Sequence, residues 1–316
     1  MRPHIDQALA SVEAITQGFL KEGYVCSQQI ATVLYIAHHL GKPVLVEGPA
    51  GVGKTELAKI TSRYLNLPLI RLQCYEGLDE SKALYEWKYG KQLLYTQLLK
   101  DKLDHVLKDT DGLAEAVSKL HAYDDLFFSR QFLEPRPLLK ALQQREGAVL
   151  LVDEVDKSDQ EFEAFLLEIL SDFQVTVPEI GTILATTRPI VFLTSNNTRE
   201  MSEALKRRCL HLFIPFPDPK LEREIIRVKV PDLSEVLNFK LVSFIQQVRK
   251  MDLKKRPSIS ETVDWARVLV MLHASSLSAD LIRDTLSVFL KFEEDIQMVR
   301  EAIQDLVAKD IRGATG

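Results

Sequence analysis

Cysteine is scarce in this chain. Only Cys26, Cys74 and Cys209 occur, with no CxxC pair and no Cys/His spacing of the zinc type. A disulfide framework and a metal knuckle are thereby excluded as organising devices, and a reducing cytoplasm is the expected setting. Basic charge is not in excess either: the net charge is −5 and the pI near 5.9, which argues against a surface built to track a phosphate backbone. No apolar run reaches the length of a membrane span. The N-terminus, MRPHIDQALASVEAITQ, is polar and amphipathic rather than basic then apolar, so neither a span nor an export signal is expected. Internal repeats and low-complexity tracts are absent. Tryptophan occurs twice, at Trp87 and Trp265, each read as a packing residue rather than a platform for stacked bases.

What is present is ample apolar material, 46% of 316 residues, enough for one large and one smaller domain. Helical periodicity over Ile5–Leu20 and Gln28–Leu40 gives way to PVLVEG (43–48), an apolar run too short for a helix. LPLIRLQ (67–73), AVLLVD (148–153) and PIVFLTS (189–195) are of the same kind, and CLHLF (209–213) reads as another buried strand. Such runs separated by helical stretches predict a parallel sheet sandwiched by helices. Ser158 and Glu161 have capping-box spacing ahead of a helix, and FQVTVPEIGTILATT alternates around a Pro-Glu-Ile-Gly turn as a hairpin does. Residues 82–145 read as mostly helical, with a long charged insertion at 100–131. Three prolines in IPFPDPK mark a boundary, placing an α/β unit over 1–218 and a helical unit over 219–316.

GPAGVGKT matches GxxxxGK[ST] between a strand and a helical stretch, the context that motif requires. Gly48, Gly51 and Gly53, with Pro49, Ala50 and Val52 between them, let the backbone curl so that amides face phosphate oxygens at a helix N-terminus, beside Glu56. Lys54 would reach the β- and γ-phosphates, and Thr55 would offer its hydroxyl to Mg²⁺. Asp153 ends an apolar strand as the second Mg²⁺ ligand, read as acting through a water. Glu154 is read as the base that polarises the attacking water, the alternative being a solvated strand-end carboxylate. Asn196 would hold that water or sense the γ-phosphate, whereas Asn197 reads as a turn residue. His38 and His39 are adjacent on a helix and point about 100° apart, so a helix-end reading is preferred to a metal pair. DLKKRPS (252–258) reads as a solvated loop.

The stretches EGYVCSQQIATVLYIAHHLGKPVLVEGPAGVGKTELAK, RLQCYEGLDESKALYEW and LTSNNTREMSEALKRRCLHLF resemble ATPases of the AAA+ superfamily, and within it the CoxD-like branch of the MoxR family. The resemblance covers residues 23–217 well and the remainder loosely. It implies a P-loop NTPase core with a helical lid, ATP and Mg²⁺ as cofactors, and a homo-oligomeric ring, typically a hexamer. It further implies that Asn196 is the sensor-1 residue, that Arg208 is an arginine finger for the next subunit, and that Tyr24 and Val25 line the adenine pocket. Lys206 and Arg207 are then bystanders. The hairpin becomes an insert before sensor 1, and the segment around YEWKYGKQLLYTQ an insert in helix 2. Family members work with a von Willebrand factor A partner on a client metalloenzyme; for this branch the client is a molybdenum-containing carbon monoxide dehydrogenase. One departure stands out: RPSISETVDWA places Glu261 near the expected sensor-2 arginine, leaving Lys255, Arg256 or Arg267 as substitutes. A nucleic-acid-directed motor and an NTP-gated switch are the competing classes. The acidic balance opposes the first and Glu154 the second.

Overall fold

The computed structural model describes residues 3–107 and 128–313. Most of the charged insertion at 100–131 therefore lies outside the described residues. Helices α1 (Pro3–Ala8), α2 (Val12–Lys21) and α3 (Gln28–Leu40) precede β1 (Val44–Glu47). The single helix expected over Ile5–Leu20 is two, because Ser11 accepts a hydrogen bond from Ala14 N and starts a new helix. The chain continues through α4 (Lys54–Leu65), β2 (Leu69–Gln73), α5 (Glu80–Ala83), β3 (Tyr85–Trp87), α6 (Tyr89–Leu107) and β4 (Leu133–Pro135). Next come α7 (Pro137–Leu142), β5 (Val149–Asp153), α8 (Gln160–Asp172), the pair β6 (Gln174–Val177) and β7 (Gly181–Leu184), β8 (Ile190–Ser195), α9 (Glu203–Arg208) and β9 (Leu210–Phe213). Five helices follow: α10 (Pro219–Lys229), α11 (Glu235–Val248), α12 (Ile259–Met271), α13 (Ala279–Phe289) and α14 (Glu293–Gly313).

The central sheet has the order β2-β5-β8-β1-β9, and every pairing in it is parallel. Alternation along each strand divides the apolar runs between two faces. Val44, Val46, Val149, Leu151 and Phe192 pack with α1–α4 residues such as Leu34 and Leu57. Leu45, Leu150, Val152, Val191 and Leu193 pack on the other face against Phe162, Leu166 and Leu139. Burial on both faces is why these strands read as unbroken apolar runs. A third cluster joins the C-terminal helices around Trp265, which is fully buried and donates Nε1–H to Thr285 Oγ1 at 2.9 Å. Trp87 is also a packing residue, in the cluster that holds Leu139.

Three local expectations change. The helix α8 is capped by Asp159, which accepts from Phe162 N at 2.8 Å, while the Ser158 hydroxyl turns back to Val155 O; the Ser158–Glu161 capping box does not form. Strand β9 is the sheet edge rather than a buried strand, with His211 and Phe213 exposed. Residues 82–145 include an antiparallel pair, β3 with β4, in a region expected to be mostly helical. The hairpin β6–β7 pairs as its alternation predicts, with Gly181 at φ 88° after the turn. His38 and His39 close α3, facing Asp6 and the Tyr35 carbonyl respectively.

Candidate nucleotide site

The parallel sheet delivers the C-terminal ends of β1, β5 and β8 to one edge, side by side: Val46 lies opposite Thr194 and Glu47 opposite Ser195, while Val152 lies opposite Leu193. In open parallel sheets this edge is where ligands bind. Immediately after β1, Gly48 has φ 149°, and a Cβ there would sit 2.2 Å from Ile214 O. Gly51, at φ 76°, passes so close to the start of α12 that a Cβ would meet Ser258 Oγ at 2.3 Å. In the loop of Gly48, Pro49, Ala50, Gly51, Val52 and Gly53, the first two glycines are thus placed by close approach to Ile214 O and the Ser258 side chain, and Gly53 by its positive φ of 101°. It leads into the N-terminus of α4, whose amides attract anions.

Lys54, the first residue of α4, is buried and spends all three of its donors. Nζ donates to Gly48 O at 2.7 Å, Pro49 O at 2.8 Å and Asn196 Oδ1 at 2.8 Å. Burial lowers its pKa, against the opposing pull of the Asp156, Asp153 and Glu154 carboxylates. Thr55 Oγ1 donates to Asp153, 3.1 Å from Oδ1 and 3.3 Å from Oδ2. A hydroxyl and a carboxylate converging on one point are the hard oxygen donors that Mg²⁺ takes, so the residues present fit that ion.

Asp153 is held by more than Thr55. Thr194 donates to its Oδ1, and Arg71 donates to its Oδ2 through Nε at 3.0 Å and Nη2 at 2.6 Å. Glu154 adopts the left-handed region, φ 57° and ψ 48°, a conformation costing about 1 kcal/mol or more for such a residue. Its amide donates to Thr194 Oγ1, while its Oε2 accepts from Gln73 Nε2 at 2.8 Å and Lys157 Nζ at 2.6 Å. Asp156 grips the far side: Oδ2 accepts from Asn196 N at 3.2 Å, Thr198 N at 3.0 Å and Thr198 Oγ1 at 2.6 Å. Burial acts to raise the Asp156 pKa, but these hydrogen bonds outweigh it and hold the carboxyl below its ordinary range. Asn197 turns away at φ 61°, with its amide on Ser195 Oγ.

Beside the loop lies a cavity of about 560 Å³, lined in part by Tyr24, Val25, Val52, Glu56, Phe216 and Arg267. Its size suits a small organic ligand. Burial pushes the Tyr24 phenol far above its usual pKa and the neighbouring Cys26 thiol up to about 12, so neither ionises near neutrality. Of the three cations considered for sensor 2, Arg267 lines this cavity, 3.1 Å from Asp264; Lys255 is paired with Glu261, which closes the capping box of α12, and Arg256 does not line it.

The structure does not bring Arg208 to this cluster. It ends α9 exposed, with Nη1 3.5 Å from Leu167 O and no carboxylate partner among the described residues. Arg207 and Lys206 are paired with Glu203 and Glu200. Sequence reasoning missed Arg71, Gln73, Asp156 and Thr194. The first two had one visible signal, polar residues alternating with apolar ones in LIRLQ.

The sequence pattern of the AAA family, the ATPase family associated with various cellular activities, matches residues 44–217. The chain belongs to this family. It is a P-loop ATPase whose cofactors are ATP and Mg²⁺, and proteins of the family typically assemble as rings. Among similar proteins, an uncharacterized protein of Staphylococcus epidermidis strain RP62A is 26% identical over 240 residues, covering 74% of this chain and 77% of that protein. An uncharacterized protein of Staphylococcus haemolyticus is 25% identical over 276 residues, covering 84% and 91%. A point mutant of Thermotoga maritima RuvB aligns with a TM-score of 0.46 at 19% identity, covering 83% of this chain and 68% of that one. The T. maritima RuvB Holliday junction branch migration motor aligns with a TM-score of 0.43 at 17% identity, covering 88% and 71%. No helix among the described residues is long and apolar enough to cross a membrane.

Proposed function

We propose that this chain is a MoxR-type remodelling ATPase of the CoxD-like branch, acting as a ring, in the typical case a hexamer. Its partner is a von Willebrand factor A protein and its task the maturation of a metalloenzyme such as a molybdenum-containing carbon monoxide dehydrogenase. Residues 1–218 form the nucleotide unit and 219–316 the lid. Asp153 and Thr55 are the side chains that would hold Mg²⁺, which when bound supplies positive charge against the phosphate oxygens. Lys54 neutralises the same phosphates, and the loop amides of 48–53 orient them. Glu154 accepts a proton from the attacking water once Gln73 and Lys157 release its Oε2. Asn196 places its amide beside the γ-phosphate through its bond to Lys54. Tyr24 and Val25 face the adenine.

The observation that carries turnover between subunits is Arg208: exposed and without a carboxylate partner among the described residues, while Arg207 beside it is paired. A guanidinium with no carboxylate partner among the described residues and away from its own site suits the γ-phosphate of a neighbour. The hairpin β6–β7, inserted between α8 and β8 with Leu184 exposed, and the net acidic charge favour protein clients over nucleic acid. The test is ATP hydrolysis by the purified protein alone, with duplex or single-stranded DNA, and with a von Willebrand factor A protein from the same organism. Stimulation by that protein and not by DNA is expected. Stimulation by DNA alone would replace this reading with a nucleic-acid-directed motor, and tight ATP binding without turnover in any mixture would replace it with a gated switch.

A further inference from the structure

Asp153 is surrounded more closely than its place as a metal ligand requires. Along β2, Ile70 and Leu72 are buried, so Arg71 and Gln73 share the opposite face. The strand pairs in parallel with β5, Gln73 beside Asp153, and this register carries the Arg71 guanidinium to the carboxylate. Nε and Nη2 both donate to Oδ2, and Nη2 also reaches Gln73 Oε1 at 2.5 Å. The Asp153 side chain is 3% exposed and that of Arg71 50%. The carboxylate is therefore fixed, while the guanidinium stands at the water's edge on a long stem and is free to turn away.

We infer that Arg71 is a positioning residue of the metal site: its guanidinium competes with Mg²⁺ for Asp153 Oδ2 and so sets how much Mg²⁺ the nucleotide complex requires. The inference rests on the reading of Asp153 and Thr55 as the metal-holding side chains. Mg²⁺ demands a tight, near-octahedral shell of oxygens, and a guanidinium donating two N–H groups into the same lone pairs has to withdraw for such a shell to form. The other carboxylate oxygen is already committed to Thr194, which donates to Oδ1 and carries the Glu154 amide on its own oxygen. Lys54 does not play this part, because its donors go to Gly48, Pro49 and Asn196. Among the described residues Arg71 is thus the cation hydrogen-bonded to Asp153.

An arginine that merely braced Asp153 would have the opposite signature. Removing a brace weakens metal binding, whereas removing a competitor tightens it. The full-length chain and its Arg71→Met variant are to be titrated with Mg²⁺ while binding of a fluorescent ADP analogue is followed, with EDTA as the zero point. Loss of the competitor should lower the Mg²⁺ concentration at half-maximal binding about fivefold, the scale of a half-exposed charged contact. Arg71→Gln, uncharged and polar, gives the same reading should the methionine variant not fold. Asp153→Asn in parallel should remove the Mg²⁺ dependence. If it does so while both Arg71 variants need as much Mg²⁺ as the parent or more, the competition is overturned and the site reading stands. If Asp153→Asn keeps the parent's Mg²⁺ requirement, the site reading falls and the inference falls with it.

Discussion

Lys54 Nζ and Asn196 Oδ1 lie 2.8 Å apart, tying the first residue of α4 to the end of β8 across 142 residues of sequence. The ammonium and the amide are thereby joined, and the tasks proposed for them can be separated. Lys54→Ala removes the phosphate-facing charge and should abolish ATP binding. Asn196→Ala leaves that charge on Gly48 O and Pro49 O, so ATP should still bind while turnover falls on the order of 10²-fold, the usual cost of one well-placed polar group. Equilibrium binding and single-turnover hydrolysis measured on both variants check this, and equal loss of binding in the two would refute the division of labour.

Glu154 makes a different claim. Its Oε2 is held by Gln73 and Lys157, outside the shell of Thr55, Thr194 and Arg71 around Asp153. Glu154→Gln should therefore keep nucleotide affinity and lose turnover by about 10²- to 10⁴-fold, the range for a general base. Filter binding of labelled ATP beside phosphate release reads both quantities. Loss of affinity comparable to that in Lys54→Ala would take Glu154 out of the catalytic role.

Asp156 supplies a pH dependence. Its folded-state pKa lies below the ordinary Asp value, so the stability it contributes is complete above the unfolded pKa of about 3.9 and is lost as pH falls through the lower folded value. Asp156→Asn should be destabilised at neutral pH by about 1–3 kcal/mol, the range of a hydrogen bond to a charged group. The gap to the parent should close as the pH is taken below the carboxylate range. Urea midpoints for both proteins from pH 7 downward test this; a gap that stays constant throughout would show that the charge of Asp156 is not what matters.

The parts of this site that could be read in advance are the contiguous ones. Gly48 to Thr55 is a local motif, and Asp153-Glu154 stands at the end of a strand whose burial on both faces makes it an unbroken apolar run. Arg71, Gln73, Thr194 and Asp156 act across strands. Arg71 meets Asp153 over a separation of 82 residues, and the register of β2 against β5 that brings them together depends on packing that no local pattern records. Short elements were hidden for a related reason. Strands β3 and β4 have three residues each, fewer than alternation needs to show itself. Ser158 and Asp159 are both good caps, and the turn Val155–Lys157 decides between them by taking the Ser158 hydroxyl.

The C-terminal helices carry a buried pair that bears on the cavity beside the glycine-rich loop. Arg249 donates to both oxygens of Glu222 at 2.7 Å and to Pro257 O at 2.8 Å, and lies over the Phe216 ring at 5.1 Å; the two charged side chains are 6% and 0% exposed. Gln246 ties the same carboxylate to Pro217 O. Phe216 and Pro217 line the cavity, so the pair anchors one of its walls. Arg249→Met should cost about 3–5 kcal/mol by stranding Glu222, and the double variant with Glu222→Met should recover most of it. Urea denaturation of the three proteins gives the answer; a single-variant loss under about 1 kcal/mol would show that the pair is not an anchor.

Arg208 gives the sharpest test of assembly, because the role proposed for it can exist only between copies. Within one chain it touches the Leu167 carbonyl and none of the side chains around Lys54 and Asp153. Arg208→Ala should then bind ATP with near-parent affinity and lose turnover by about 10³-fold, as arginine fingers do. A cation acting on its own subunit would give the same single-variant result, so the discriminating measurement is mixing. An Arg208→Ala subunit retains Glu154, and a Glu154→Gln subunit retains Arg208. In a mixed ring, an Arg208→Ala site facing a Glu154→Gln neighbour has both groups, one from each copy, and should recover activity that neither variant shows alone. Action within one subunit makes no such site, and hydrolysis in the mixture would then stay at the level of its inactive parts across all ratios. Recovery that follows the statistical frequency of such neighbours would place Arg208 on the γ-phosphate of the adjoining subunit.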